Sequence, residues 1–160
     1  MEYLLFKWLH VLFSTVLFGT GIGSAFYLLV ATLSRDLRFV AGVTRWVVRA
    51  DWLFTATTAV LQPLSGLWML HLAQIPLSTP WVRWSLILYA VAIGCWLPVV
   101  WLQMRLRDLA AEALAKNQAL PRAYWRHFWA WFALGVPALL AFLLIFWLMI
   151  AKPSSLPGMG

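Results

Sequence analysis

Arg35-Asp36-Leu37-Arg38-Phe39-Val40-Ala41-Gly42-Val43-Thr44-Arg45-Trp46-Val47-Val48-Arg49 is the stretch on which the fold turns. It carries four arginines and separates two long apolar runs. A second basic stretch, with Arg105, Arg107, Lys116, Arg122 and Arg126, separates a third run from a fourth. Nine of the twelve Lys and Arg residues thus fall in two connectors. Only Lys7, Arg83 and Lys152 lie elsewhere. Short loops rich in Lys and Arg stay cytoplasmic. The pattern predicts an all-α polytopic membrane protein, a bundle of four transmembrane helices with both termini periplasmic.

Composition agrees. The chain is 64% hydrophobic and 11% charged, against about a quarter charged in a soluble domain. Four spans of about 20 residues each, with short loops, consume 160 residues. The expected spans are 3–33, 50–74, 81–107 and 124–151, in a single domain over 1–160. The first run is too long for the apolar core of a signal peptide and is read as a retained span. The net charge of +7 would suggest nucleic acid in a soluble chain. Here it is read as topogenic, facing anionic lipid headgroups, with no nucleic-acid partner. Cys95 stands alone, so no disulfide framework or Cys-based metal motif is expected.

Within the runs, a few polar and small residues stand out. Gly19 and Gly23 form a small-xxx-small pair, the kind that lets a second backbone approach, so homo-oligomerisation through this face is one expectation. Asp51, Thr55, Thr58, Gln62 and Ser65 recur in steps of four and three and should turn one helical face into the bundle. Pro63, Pro98 and Pro137 mark expected kinks. The segment 38–49 is amphipathic and should begin the second helix at the cytoplasmic surface. Residues 108–122 read as a polar connector, and 153–160 as a short disordered tail. Trp96, Trp131 and Trp147 lie too deep for an interfacial belt. They are read as lipid-facing bulk, with the wall of a flat aromatic-ligand pocket as the other reading.

The residues able to carry chemistry are few. His10 and His71 fall at similar depth near the outer ends of two antiparallel helices. Neutral imidazoles there can bind haem iron, copper or zinc. Lys7 lies one turn outward of His10, and Arg83 about one turn into the third helix. Two cations beside two histidines would suit a porphyrin and its propionates; the structural alternative is that both snorkel to headgroups. His127 reads as interfacial packing. Asp51 is expected to pair with Arg49 or Arg105, closing the bundle; its functional alternative is a proton path through Thr55, Thr58 and Gln62.

Several strings resemble a family of predicted bacterial integral membrane proteins known only as a domain of unknown function. They include Lys7-Trp8-Leu9-His10, Phe18-Gly19-Thr20-Gly21-Ile22-Gly23, Asp51-Trp52-Leu53-Phe54-Thr55 and Gln62-Pro63-Leu64-Ser65-Gly66. Cys95-Trp96-Leu97-Pro98-Val99-Val100-Trp101-Leu102-Gln103 and Trp131-Phe132-Ala133-Leu134-Gly135-Val136-Pro137 extend the likeness over nearly the whole chain. A more distant similarity reaches HemJ-type protoporphyrinogen oxidases and the membrane part of copper-resistance protein D. Lys7 and His10 match the Lys-x-x-His element that opens HemJ-like chains, and Arg83 follows Trp81 where they carry a basic residue. The chain departs in having Arg there rather than Lys, and in lacking a second histidine near the end of the first helix.

The resemblance implies a haem-b-binding bacterial inner-membrane protein with a redox or electron-transfer role. His10 would be an axial ligand, His71 the second ligand or a pocket residue, and Arg83 and Lys7 the propionate partners. Quinone or a porphyrin would be the substrate, and an enzyme of this kind would be an oxidoreductase. The alternative from another class is a non-enzymatic component without haem: an assembly factor, a transporter subunit or a copper-handling protein.

Overall fold

Long apolar runs with no strand-like alternation form helices because lipid offers the backbone no other hydrogen-bond partners. In the computed structural model, which describes residues 1–153, four such helices are present: α1 (Glu2–Ser34), α2 (Leu37–Leu72), α3 (Pro80–Ala115) and α4 (Arg122–Ala151). Each is long and apolar enough to cross a bilayer. The expected tail lies largely outside the described residues.

The turn between α1 and α2 is built from Arg35 and Asp36. Arg35 adopts the left-handed conformation, φ 58°, and its N–H returns to Thr32 O. That ends α1. Asp36 then caps α2, accepting from the N–H groups of Arg38 and Phe39 at 2.9 and 3.2 Å. Two residues therefore reverse the chain at its arginine-rich end, here called the basic end.

The first half of α2 buries Val40, Ala41, Thr44, Val47 and Val48 and exposes Arg38, Arg45 and Arg49. This amphipathic half packs against α1 and α3. With Leu28, Leu106, Tyr124 and Phe128 it forms the tight core of the molecule. Tyr124 and Thr32 share a hydrogen bond of 2.8 Å inside that core.

The second helix runs from Leu37 to Leu72 with Pro63 inside it. It also contains a π-helical turn at Asp51–Thr55 that carries no sequence signature, in which the Ala56 N–H reaches back to Asp51 O. Such single turns absorb an extra residue and rotate the faces on either side. Pro63 has no N–H for the carbonyl of Ala59, four residues earlier. The Tyr89 hydroxyl of α3 donates to that carbonyl instead.

Beyond the π turn α2 leans on α1, while α3 and α4 pack along one another. The two pairs are joined by the core at the basic end. Further along they touch chiefly through side chains: Phe18 against Phe142 and Phe146, and the Tyr89–Ala59 bond. The bundle is thus pinned at one end and parted across its middle. α3 also runs on to Ala115 and takes up half of the connector expected at 108–122.

Candidate functional site

Two places gather polar side chains inside the bundle. The first joins α1 to the far half of α2. His10 Nδ1 lies 3.1 Å from Gln62 O and 2.9 Å from Ser65 Oγ. Its Nε2 lies 3.1 Å from Gln62 Nε2. With the amide donating to Nε2, the imidazole must donate from Nδ1, so one tautomer satisfies the set. Gly66 permits this approach: a Cβ there would stand 3.0 Å from His10 Cε1.

His71 is not brought to His10. It lies five residues beyond Gly66, about 140° around the helix at 3.6 residues per turn. It is exposed, and its nearest ring is Trp68 at 5.8 Å. Lys7 and Arg83 are exposed as well. The partners of His10 are therefore Gln62 and Ser65, and Lys7, His71 and Arg83 stand apart from them. His127 packs as expected at the membrane edge, with Nδ1 near Ala123 O and its ring against Trp101. Gly19 is exposed, and neither it nor Gly23 has a neighbour within 4 Å of a Cβ.

The second place is the parting itself. A cavity of about 270 Å³ lies between the two helix pairs, walled by Phe18, Trp96, Trp131 and Phe142. At its polar end are Asp51, Thr55 and Gln103. The π turn sets Asp51 and Thr55 on the inner face, and the Thr55 hydroxyl donates to Asp51 Oδ1 at 3.0 Å. Gln103 lines the same end of the cavity from α3.

The expected ion pair of Asp51 with Arg49 or Arg105 does not form. Among the described residues the ion pairs are Arg107–Asp108 and Lys116–Glu112. Arg49 and Arg105 turn outward over the rings of Trp46 and Trp101, at 4.9 and 5.9 Å. Asp51 points inward, and the two arginines find π faces and headgroup water rather than a buried carboxylate.

Three buried polar atoms on this cavity have no partner in the protein: Gln103 Oε1, Trp96 Nε1 and Trp131 Nε1. Gln62 Oε1, beside His10, is a fourth. Asp51 and Gln103 are each 4% exposed, and Trp131 5%. The reading of Trp96 and Trp131 as lipid-facing bulk is thus corrected: both wall the cavity, while Trp147 does face outward at 51% exposure. Gln103 carried no sequence signal of its own. Its only clue is the seven-residue spacing from Trp96, which puts both on one face of α3. Chemically the site offers aromatic and aliphatic walls with Asp51, Thr55 and Gln103 at one end.

A family model described as a predicted integral membrane protein (DUF2269) matches residues 4–153. No curated protein and no solved structure matches the chain.

Proposed function

The chain belongs to the DUF2269 family of predicted integral membrane proteins, and from that premise we propose that it binds a small molecule drawn from the bilayer in the cavity between its helix pairs. One observation carries this reading: Trp96, Gln103 and Trp131, each with a buried polar atom that has no partner among the described residues, line a single hollow together with Asp51 and Thr55. In hydrocarbon there is no bulk water to satisfy them. Convergent polar groups in an otherwise apolar concavity are the usual form of a small-molecule site. The basic end would face the cytoplasm of a bacterial inner membrane. The test is native mass spectrometry of protein extracted in lipid nanodiscs. A specific mass beyond lipid should accompany the wild type and be lost from Gly135→Phe, whose ring would fill the cavity. Retention of that mass by Gly135→Phe would refute the reading.

A second reading keeps haem b, on a separate observation. Donation of His10 Nδ1–H to a backbone carbonyl leaves Nε2 with the lone pair, as in metal-ligating histidines. The fit is partial. Gln62 Nε2 covers that lone pair, and Lys7, His71 and Arg83 do not converge on it. Haem would supply one-electron chemistry, with His10 as the single axial ligand from this set. A reduced-minus-oxidised absorption spectrum decides. A stoichiometric b-type band lost in His10→Ala supports this reading, and a colourless folded protein expressed with ample haem precursor sinks it.

A further inference from the structure

The outer, lipid-facing side of the bundle has a recess of its own. We infer that the groove between α2 and α3 binds one anionic phospholipid, with an acyl chain along the groove and the phosphate held by Arg49 and Arg105 at its basic end. This does not depend on the cavity reading.

The groove is built from two rows of side chains. On α2, Val60, Ala56 and Trp52 are spaced four residues apart and line it. On α3, Leu97 and Trp101 line it with the same spacing. Residues four apart stand one above another on a helix. Val60, Trp52, Leu97 and Trp101 are exposed, so this hollow of about 550 Å³ opens to hydrocarbon. In a bilayer the neighbour that fills such a recess is a lipid chain.

Continued toward the basic end, both rows reach an arginine. α2 runs away from that end and α3 runs toward it. About one turn before Trp52 is Arg49, and about one turn after Trp101 is Arg105. Both are exposed. Their guanidinium groups lie over the rings of Trp46 and Trp101, at 4.9 and 5.9 Å. Tryptophan favours the headgroup level of a membrane, so these contacts keep the two charges there rather than out in bulk water. Trp101 is itself a wall of the groove, which puts the Arg105 charge at its mouth. Arg45, one turn before Arg49 and also exposed, adds a third cation.

These charges are not neutralised from within the protein. Among the described residues the ion pairs are Arg107–Asp108 and Lys116–Glu112, and neither includes Arg49 or Arg105. Asp51, close to Arg49 in sequence, is buried and bonded to Thr55. Arginines on two neighbouring helices suit a phosphate, which accepts from several N–H groups at once. Basic pockets between transmembrane helices take the headgroups of anionic lipids. A zwitterionic lipid brings a cation of its own and gains less. A free phosphate gains nothing from the groove. An anionic phospholipid uses both the charges and the recess.

The test is native mass spectrometry of delipidated protein in detergent, titrated with four probes. They are dioleoyl phosphatidylglycerol, dioleoyl phosphatidylcholine, oleate and glycerophosphoglycerol, the headgroup without chains. One phosphatidylglycerol should bind ahead of any further lipid, preferred over phosphatidylcholine by roughly thirtyfold, about fivefold from each arginine. Oleate and the bare headgroup should bind more weakly. Arg49→Gln and Arg105→Gln should each cut the preference about fivefold. Arg122→Gln, which removes an exposed charge at the start of α4, should not. Val60→Trp fills the groove from an exposed position and should weaken both phospholipids with the arginines in place. Gly135 lines the cavity and not the groove, so Gly135→Phe should leave the first phosphatidylglycerol bound. Failure of the cavity reading and failure of this one are thereby read separately.

Equal binding of the two phospholipids overturns the proposal. So does a preference that falls no further in Arg49→Gln and Arg105→Gln than in Arg122→Gln. Oleate or the bare headgroup binding as tightly as phosphatidylglycerol overturns the phospholipid assignment. Undiminished binding in Val60→Trp overturns the groove.

Discussion

Leucine in place of Gly135 should make the ligand-free protein more stable and the working protein less capable. Gly135 lies on α4 at the cavity wall, and nothing stands within 4 Å of where its Cβ would be. The new side chain grows into the hollow without a clash. Two terms add. Replacing glycine inside a helix recovers about 0.8 kcal/mol of propensity. The leucine side chain also packs on the walls of the hollow, which opens toward lipid beside Ile22, Phe132 and Val136, and gains about 1–2 kcal/mol of dispersion contact, for a total of about 2–3 kcal/mol. For a chain of this size the rise in Tm is roughly 5–10 °C.

The assay is intrinsic tryptophan fluorescence during heating, on protein first stripped of bound molecules. Ligand-loaded wild type gains RT ln(1 + [L]/Kd) that the variant should lack. The ordering expected is stripped wild type below Gly135→Leu, with added ligand raising only the wild type. Gly21→Leu, which also lines the cavity and meets nothing within 4 Å, should act alike. The double variant should gain less than the two singles together, because both fill one space. A fall in Tm for both single variants, or full additivity in the pair, refutes the reasoning that this hollow is shared, unfilled volume.

Three further outcomes follow from the helix contacts. Tyr89→Phe strands the Ala59 carbonyl that Pro63 leaves free, and should cost about 1–3 kcal/mol in thermal or denaturant unfolding; Tyr89→Phe with Pro63→Ala should recover most of that, since the restored N–H takes the carbonyl. Gly66→Val presses a branched side chain against the His10 ring, 3.0 Å from the Cβ position, and should destabilise by about 1–3 kcal/mol. Adding His10→Ala should relieve part of that loss, and a double-mutant cycle showing no coupling would remove the claimed contact. Tyr124→Phe breaks the buried pair with Thr32 and should lower stability by about 1–2 kcal/mol without changing ligand affinity, because it lies in the basic-end core and not on the cavity.

The spans were legible because each is a long apolar run and because Arg and Lys gather in two connectors. The inner face of α2 was legible too: Asp51, Thr55, Thr58 and Ser65 are all buried, as their spacing requires. Rotation about each helix axis was not legible, and the candidate site depends on it. His10 packs at the level of Gly66, whereas His71 lies five residues, about 7.5 Å, further along α2 and on another face. Gln62 was grouped with Asp51 by spacing, yet its amide reaches His10. Trp96, Trp131 and Trp147 are alike to any hydropathy scale, since lipid and a cavity wall both suit an indole. What separates them is the unpartnered N–H that packing imposes on the first two. The π turn at Asp51–Thr55 has no composition signature and rests on how α2 bridges α3 at one end and α1 at the other.

That bridging also bears on why the middle of the bundle is parted. A four-helix membrane bundle has no hydrophobic drive to close, because lipid tails are as apolar as its side chains. Packing, hydrogen bonds and small residues must close it. At the basic end they do, through the Thr32–Tyr124 bond and the buried packing of Leu28, Val40, Leu106 and Phe128. In the middle, bulky rings hold the pairs apart, and Trp96, Gln103 and Trp131 on that wall each keep a buried polar atom unpaired. Each unpaired atom costs about 1–3 kcal/mol, a sizeable share of the stability of an ordinary domain, about 5–15 kcal/mol. Phenylalanine at 96 and 131 and leucine at 103 would remove the polar share. That polar groups stand there at a cost to packing is the argument that this part of the bundle is shaped by something other than its own stability.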